Sequence, residues 1–468
     1  MLNLTLQHLI DATGGRLDGP VDASMSVRQV RIDSRQVAPG DVFFALRGAA
    51  TDGHAFIDDA VRRGAACCVV ERSPADRRRV PMLLVPDSLQ ALQSLAHARR
   101  RASDAMVIGI TGSNGKTTTR TMLNAVLSSK HVGMQSPANY NSQTGVPLSL
   151  LEIAPGDEYA IIELAASHAG EIAALARIAQ PEAGIVTSVA PAHLGEFGSI
   201  EAIVDTKGEL VAAIPAGGFV VLNGDDPRVR GMASRAACRT LFAGEQPDNS
   251  VRVSAVHVEQ DWIEAVVDGG RFRVRAIGRH HVNPLVQCVA VAREIGLSDA
   301  DIQEGLWTFE SVAGRCRRCQ IGPWTVIDDT YNANPGSMRA ACDVLGGWRG
   351  PGNRWLVLGD MLGLGPGSGA LHHELGEYAA SQPIDGIAAM GEHAGDVLRA
   401  ARFRGLEGGC LGECGSLSTL MLQLECWLAP GDVVLVKGSR GMRMEQVLDG
   451  LRDLWSRQTT TTGIRQAA

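Results

Sequence analysis

Short apolar runs recur along the chain, separated by helix-length stretches of mixed polarity. The clearest are Met106–Gly112 (MVIGITG), Tyr159–Leu164 (YAIIEL), Gly184–Val189 (GIVTSV) and Phe219–Asn223 (FVVLN). Trp324–Asp329 (WTVIDD), Arg354–Asp360 (RWLVLGD) and Asp432–Gly438 (DVVLVKG) follow. Runs this short, β-branched and ending in Gly, Asp or Asn, predict strands buried on both faces of parallel sheets. The fold class is therefore α/β. Ligands of such sheets bind beyond the carboxyl ends of the strands, so chemistry is expected in the residues that follow each run. The segment Val251–Ala276 alternates in polarity instead and predicts a hairpin turned by Asp268-Gly269-Gly270. The polar tail Gln458–Ala468 is expected to fray.

A chain of 468 residues suggests about three domains. The helix-like LQALQSLAHARRRAS ends near Ala102–Ala105, where the MVIGITG strand begins, and WTFESVAGR gives way to a new strand-rich section near Ser311–Arg315. The expected divisions are 1–104, 105–312 and 313–468. With 45% hydrophobic and 20% charged residues, the chain can bury a core and is not disordered as a whole. A formal charge of −7 excludes a general affinity for nucleic acid. No apolar stretch approaches the roughly 18 residues of a membrane span, and the start, MLNLTLQHLIDATGG, lacks the basic and apolar regions of a signal peptide. A cytoplasmic setting is expected. The ten cysteines form no regular framework, and Cys316 and Cys319 make a lone CxxC, so reduced structural thiols are expected.

The strongest local signal is Thr111-Gly112-Ser113-Asn114-Gly115-Lys116-Thr117-Thr118, between a buried strand and a helix-compatible run. Glycines let backbone N–H groups turn inward around phosphate oxygens, the following helix presents its positive end, Lys116 adds a point charge, and the Thr117 hydroxyl can ligate Mg²⁺. This is the shorter TGxxGKT[ST] form of the phosphate loop, and it predicts ATP binding. No guanine-reading NKxD follows, which argues against a GTPase.

Further strand ends fall into a recognisable order. Glu163-Leu164-Ala165-Ala166-Ser167-His168 follows one strand, Ala190-Pro191-Ala192-His193-Leu194 the next, and Asp205-Thr206-Lys207-Gly208-Glu209 is expected to open a helix after that. Asp328-Asp329-Thr330-Tyr331-Asn332-Ala333-Asn334-Pro335-Gly336-Ser337-Met338 and Val436-Lys437-Gly438-Ser439-Arg440 complete the set. Over nearly the whole chain this resembles the Mur ligases, and among them the dipeptide-adding branch. The resemblance implies three domains: a UDP-substrate-binding front domain, a central P-loop ATPase domain with a parallel sheet, and a C-terminal Rossmann-like domain. It implies an ATP-dependent amide ligase of peptidoglycan precursor synthesis, a monomer, joining D-alanyl-D-alanine to UDP-N-acetylmuramoyl-tripeptide through an acyl phosphate.

The same resemblance implies roles. Lys116, Glu163, His193 and Lys207 are the expected catalytic set. Thr117 and Glu163 are expected to hold one Mg²⁺, and His193 with Glu163 a second beside Lys207, carbamylated on its amine. Thr111 to Thr118, Asn283, Arg315, Asp329 and Asn332 are expected around ATP. Lys437 to Arg440 are expected to contact the peptide or dipeptide. In the front section Ser34 and Arg35 are expected on uracil and pyrophosphate, and Arg47 on phosphate.

Three positions depart from the family pattern: Ser167 stands where asparagine is usual, Ser142 replaces an asparagine in NYNSQTG (Asn139–Gly145), and Pro284 takes the place of the adenine-side asparagine, with Asn283 one residue early. The branch that adds a diamino residue would carry DNPR in its C-terminal domain. The lookalike Asp225-Asp226-Pro227-Arg228 lies in the central section instead. A rival of another class is a nucleotide-binding protein that has lost catalysis. The joint presence of Lys116, Thr117, Glu163, His193 and Lys207 speaks against it.

Overall fold

The computed structural model describes residues 4–18, 22–48, 51–72, 80–191 and 194–466, with side chains described through 459. Three open sheets follow one another along the chain, beside a two-stranded antiparallel ribbon of Leu4–Thr5 with Ser26–Val27. The front sheet runs in the order Arg16–Asp18, Met82–Leu84, Cys67–Val70, Val42–Phe44, Val30–Arg31, parallel except at its first pair. Its strands are short, two to four residues, and the helix Ser88–Arg101 leads from it to the next unit.

The central sheet has nine strands. Seven form a continuous parallel run, in the order Gly133–Gln135, Tyr159–Glu163, Met106–Thr111, Ala183–Val186, Phe219–Asn223, Arg239–Gly244, Val251–Val258. Each expected apolar run of this section contains a strand here, and the innermost are buried at every position except Met106, which is half-buried. Strands after Met106–Thr111 are added first on one side of it and then on the other, so the order reverses there and opens a crevice at its carboxyl end.

The alternating segment forms three strands, Val251–Val258, Ile263–Val267 and Gly270–Val274, hence two hairpins where one was expected. Val267 pairs with Gly270, leaving Asp268 and Gly269 as a two-residue loop with φ of +47° and +85°. Positive φ at both central residues is the signature of the type I′ turn, whose twist matches that of paired strands.

The third sheet runs Arg317–Ile321, Trp324–Asp329, Val433–Lys437, Arg354–Gly359, Gly386–Met390, Leu411–Cys414, parallel apart from the first pair. Apolar clusters cover both of its faces, one under the helices Pro335–Gly346 and Ser368–Ser381 and the other under the final helix. That helix runs from Glu445 to Gln466, which corrects the expectation of a frayed tail.

The junctions between sheets differ in kind. A single apolar cluster runs from the front section (Leu6, Leu92, Leu95) into the central one (Val146, Leu150, Ile172, Leu175). Facing the third sheet, the central section offers mainly polar groups, described next.

Candidate functional site

The carboxyl ends of the central and third sheets face one cavity of about 640 Å³, lined by both. The phosphate loop leaves the strand Met106–Thr111 and enters the helix Lys116–Leu127. Thr111 ties it to the neighbouring strand, its hydroxyl donating to the Leu164 carbonyl at 2.8 Å. Gly112 has φ of +143°, and a Cβ there would stand 2.1 Å from Thr187 Oγ1. No side chain fits, because that hydroxyl is itself engaged, donating to the Asn114 carbonyl at 2.5 Å. Gly115, at φ of +82°, caps the helix. Ser113 Oγ donates to the Ala190 carbonyl at 3.1 Å, and the Asn114 amide donates to Ser188 Oγ at 3.0 Å. Lys116 folds back over the loop and donates to the Gly112 carbonyl at 2.7 Å. Its burial disfavours the charged ammonium, Glu163 favours it and Arg315 opposes it, with a net downward pKa shift. Thr118 also lines the cavity.

Glu163 ends the strand Tyr159–Glu163 and is almost fully buried. Its Oε2 accepts from Thr117 Oγ1 at 2.9 Å and from Arg120 Nη1 at 3.3 Å, and its Oε1 accepts from Asn141 Nδ2 at 2.8 Å. A hydroxyl and a carboxylate side by side are hard oxygen donors of the kind Mg²⁺ takes while completing its shell with waters and phosphates. No cluster of three His, Cys, Asp or Glu side chains capable of holding a metal occurs among the described residues. The donors fit an ion that arrives with phosphates better than a resident protein cage.

Lys207 lies in the helix Ile200–Ala213, is buried, and lines the same cavity. Its Nζ stands 3.5 Å from the Ala166 carbonyl and 5.6 Å from the centre of the Phe197 ring. Burial, then the charge of Lys116, push its pKa down to about 7, against the opposing pull of Glu171 and Glu209. His193 lies outside the described residues. Asn283 and Pro284 both line the cavity, in the first turn of the helix Val282–Ile295. Asn283 Nδ2 donates to the Thr187 carbonyl at 3.3 Å, while its Oδ1 is buried without a partner among the described residues.

From the third sheet come Asp329, Asn332 and Arg315. Asp329 Oδ2 is 2.6 Å from Lys437 Nζ, which also donates to the Asn332 carbonyl at 2.9 Å. Lys437 is only 2% exposed, and its ammonium holds Asp329 and the loop after it while the residue also lines the cavity. Arg315 lies 3.8 Å from the centre of the Tyr331 ring and reaches across to Thr117 Oγ1, 3.4 Å from its Nη2. Asn334 caps the helix Pro335–Gly346 and exchanges two amide hydrogen bonds with Asn114 of the phosphate loop, at 2.6 and 3.3 Å.

Ser34, Arg35 and Arg47 are absent from this cavity's lining. Ser34 is buried, Arg35 pairs with Asp33 at 2.7 Å and Arg47 with Glu71 at 2.9 Å. The cysteines are free thiols, and burial raises the pKa of Cys316 well above its ordinary value.

Sequence reading missed Arg120 and the Asn114–Asn334 pair. The signal for Arg120 was present: it lies four residues after Lys116, on the same helix face. Asn114 gives no such sign, since its partner is 220 residues away.

Residues 26–100 match the family model described as "Mur ligase family, catalytic domain", residues 110–292 the Mur ligase middle domain, and residues 314–440 the "Mur ligase, glutamate ligase domain". The chain is 33% identical to the UDP-N-acetylmuramoyl-tripeptide–D-alanyl-D-alanine ligase of Escherichia coli, over 97% of this chain and 99% of that protein. The crystal structure of MurF from Acinetobacter baumannii superposes with a TM-score of 0.87 at 32% identity, covering 96% of this chain and 98% of that one. MurF ligase from Thermotoga maritima in complex with ADP gives 0.80 at 30%, covering 92% and 99%. With its phosphate loop facing Asp329 and Arg315 across one cavity, and with such likeness over nearly its full length, the chain belongs to the Mur ligase family.

Proposed function

We propose that the chain is an ATP-dependent amide ligase that joins D-alanyl-D-alanine to UDP-N-acetylmuramoyl-tripeptide in cytoplasmic peptidoglycan precursor synthesis, acting as a monomer. The observation that carries this is the shared cavity. A phosphate loop, a buried carboxylate at a strand end and a buried lysine of low basicity meet there with an arginine and an aspartate from the third sheet. Curated relatives bearing this activity in their names cover nearly the whole chain.

Phosphoryl transfer to a carboxylate brings anion to anion, so the site must supply positive charge where oxygens crowd. Lys116 and the loop amides would take the β- and γ-phosphates, and Arg315 would reach them from the third sheet. Asp329 and Asn332 would hold the ribose side, and Asn283 Oδ1 offers an acceptor for the adenine amine. The tripeptide carboxylate would attack the γ-phosphorus, with ADP leaving. The dipeptide amine would then attack the acyl carbon, and the tetrahedral intermediate would expel phosphate and leave the amide.

Thr117 and Glu163 would hold one Mg²⁺, and Glu163, His193 and carbamylated Lys207 a second. Such ions, when bound, neutralise the crowded phosphoryl oxygens. A lysine with a pKa near 7 is largely neutral at physiological pH and can add CO₂: an N–C bond forms as one C=O π bond opens, one proton leaves the nitrogen, and a neutral amine becomes an anion. Ser34, Arg35 and Arg47 would hold the uridine diphosphate end, away from the cavity. The functional units are taken as 1–104, 105–312 and 313–468.

The test is phosphate release from ATP with UDP-N-acetylmuramoyl-tripeptide, with and without D-alanyl-D-alanine, together with product mass. Release that requires both substrates and yields UDP-pentapeptide is expected. Nucleotide binding with neither phosphate nor product would leave a ligase-shaped binding protein and overturn the proposal.

A further inference from the structure

Arg120 is a buried cation to which the chemistry above assigns nothing. Its side chain is 5% exposed and Glu163 is 2% exposed, so the pair is shielded from solvent and from salt. Two of its three guanidinium nitrogens are engaged: Nη1 with Glu163 Oε2 at 3.3 Å and the Ala138 carbonyl at 2.9 Å, and Nε with Gln135 Oε1 at 3.1 Å. Ala138 itself has φ of +43°, a conformation costly for a residue with a Cβ, and the arginine grips that carbonyl. Asn141, in the same loop, fixes the other oxygen of Glu163. Arg120 therefore ties the phosphate-loop helix, the 136–144 loop and the Glu163 carboxylate together.

The charges around Glu163 are unbalanced. Arg120 touches it, Arg315 stands 3.4 Å from the hydroxyl hydrogen-bonded to it, and Lys116 is near enough to feel both Glu163 and Arg315. One carboxylate among three cations leaves a positive site. A free dication would be repelled, whereas a triphosphate reverses the sign and brings the cation with it.

We propose that Arg120 is a positioning residue that fixes Glu163 and cancels its charge, so that the divalent cation enters this site only together with the nucleoside triphosphate. The proposal rests on the nucleotide and Mg²⁺ reading of the site. A purely structural clamp would need the hydrogen bonds but not the charge, and that difference can be measured.

Mn²⁺ serves as the probe, its binding followed by loss of the free-ion electron paramagnetic resonance signal. It is titrated into the full chain with and without a non-hydrolysable ATP analogue, for wild type, Arg120→Lys and Arg120→Met. Wild type and Arg120→Lys are expected to bind Mn²⁺ at least about tenfold more tightly with the analogue than without. Arg120→Met is expected to gain nucleotide-free Mn²⁺ binding by about 10- to 100-fold, the range through which outer partners of metal ligands act. Wild type that binds Mn²⁺ equally well without nucleotide would overturn the proposal, as would Arg120→Met indistinguishable from wild type. If Arg120→Met does not fold, the wild-type and Arg120→Lys titrations decide by the same criterion. Calorimetry of the analogue alone separates the layers: absence of any analogue binding would overturn the nucleotide reading and this proposal with it.

Discussion

Lys207 and Gly112 show how single positions carry the site. Lys207 sits with Lys116 for a neighbour and little water, and both effects favour the neutral amine. Carbamylation requires that neutral form. Below pH 7 the amine is increasingly protonated and the proposed carbamate would be lost, and above pH 7 it would be retained. The expected result is a protein-bound ¹³C carbonyl signal after incubation with labelled bicarbonate that fades as pH falls through about 7 and is missing in Lys207→Ala. That variant should lose turnover by at least about 100-fold, the scale of removing one preorganised charge from a reacting site. Short carboxylic acids should restore part of it; full activity without them would sink the carbamate. At Gly112 the constraint is steric. A methyl 2.1 Å from Thr187 Oγ1 forces the loop to move, and Thr187 is anchored by the loop it contacts. Gly112→Ala should weaken ATP binding at least about tenfold by calorimetry, with a stability loss of about 1–3 kcal/mol from the strained backbone. The glycine was legible from the motif, but its reason was not, since Thr187 lies 75 residues on and meets it only once the two central strands pair.

At the scale of elements, the hairpin and the capped helix make opposite predictions. Gly269 occupies the second left-handed position of the turn between Ile263–Val267 and Gly270–Val274, and no atom crowds it. Gly269→Ala should therefore cost about 1–2 kcal/mol of backbone strain, seen in thermal melts, and leave turnover unchanged, because the turn is remote from the cavity. Asn334 begins the helix Pro335–Gly346 as its cap, with Pro335 at the first helical position, and its amide also pairs with Asn114. Asn334→Ala should cost about 1 kcal/mol for the lost cap and in addition raise the KM for ATP. A lower melting temperature with an unchanged KM would show that the pair to Asn114 contributes nothing to the nucleotide site. The long parallel strands and the Asp-Gly turn could be read from sequence because pattern and turn chemistry are local. Leu4–Thr5, Ser26–Val27 and Val30–Arg31 could not, since two residues are too few to establish a period. The end of the final helix is not legible in sequence because its polar stretch, QTTTTG, has no apolar face, yet it continues a helix anchored by Val447, Leu448 and Leu451. Lys437, at a strand end, reads from sequence as a ligand contact. Only the register that sets Asp329 opposite Lys437 reveals the ion pair that occupies it.

For the whole molecule, the two junctions between sheets predict where motion occurs. The front and central sections share one apolar cluster across the helices Ser88–Arg101 and Gly145–Leu151, and separating them would expose that surface to water. Apart from Ile277, which packs into the third section's apolar cluster, the central and third sections meet mainly through polar contacts: the Asn114–Asn334 pair, Arg315 with Thr117, the Arg318–Asp261 ion pair, Gln260 with the Arg349 carbonyl, and a hydrogen bond from the Gly195 amide to the Gly363 carbonyl at 3.1 Å. Such groups can exchange their partners for water at little net cost, so this junction is the one able to open. Opening it would part Arg315 and Asp329 from the phosphate loop and let nucleotide enter, and closing it would exclude water from the proposed acyl phosphate. Amide hydrogen exchange followed by mass spectrometry should then show a nucleotide-dependent rise in protection around residues 334–338 and 361–367. The helices Ser88–Arg101 and Gly145–Leu151 should be unaffected. In Asn114→Ala the rise should shrink at both segments together, because the lost amide pair stabilises only the closed arrangement. Equal protection changes at the front junction would mean that the apolar cluster does not lock it, and the third section would not be the moving part.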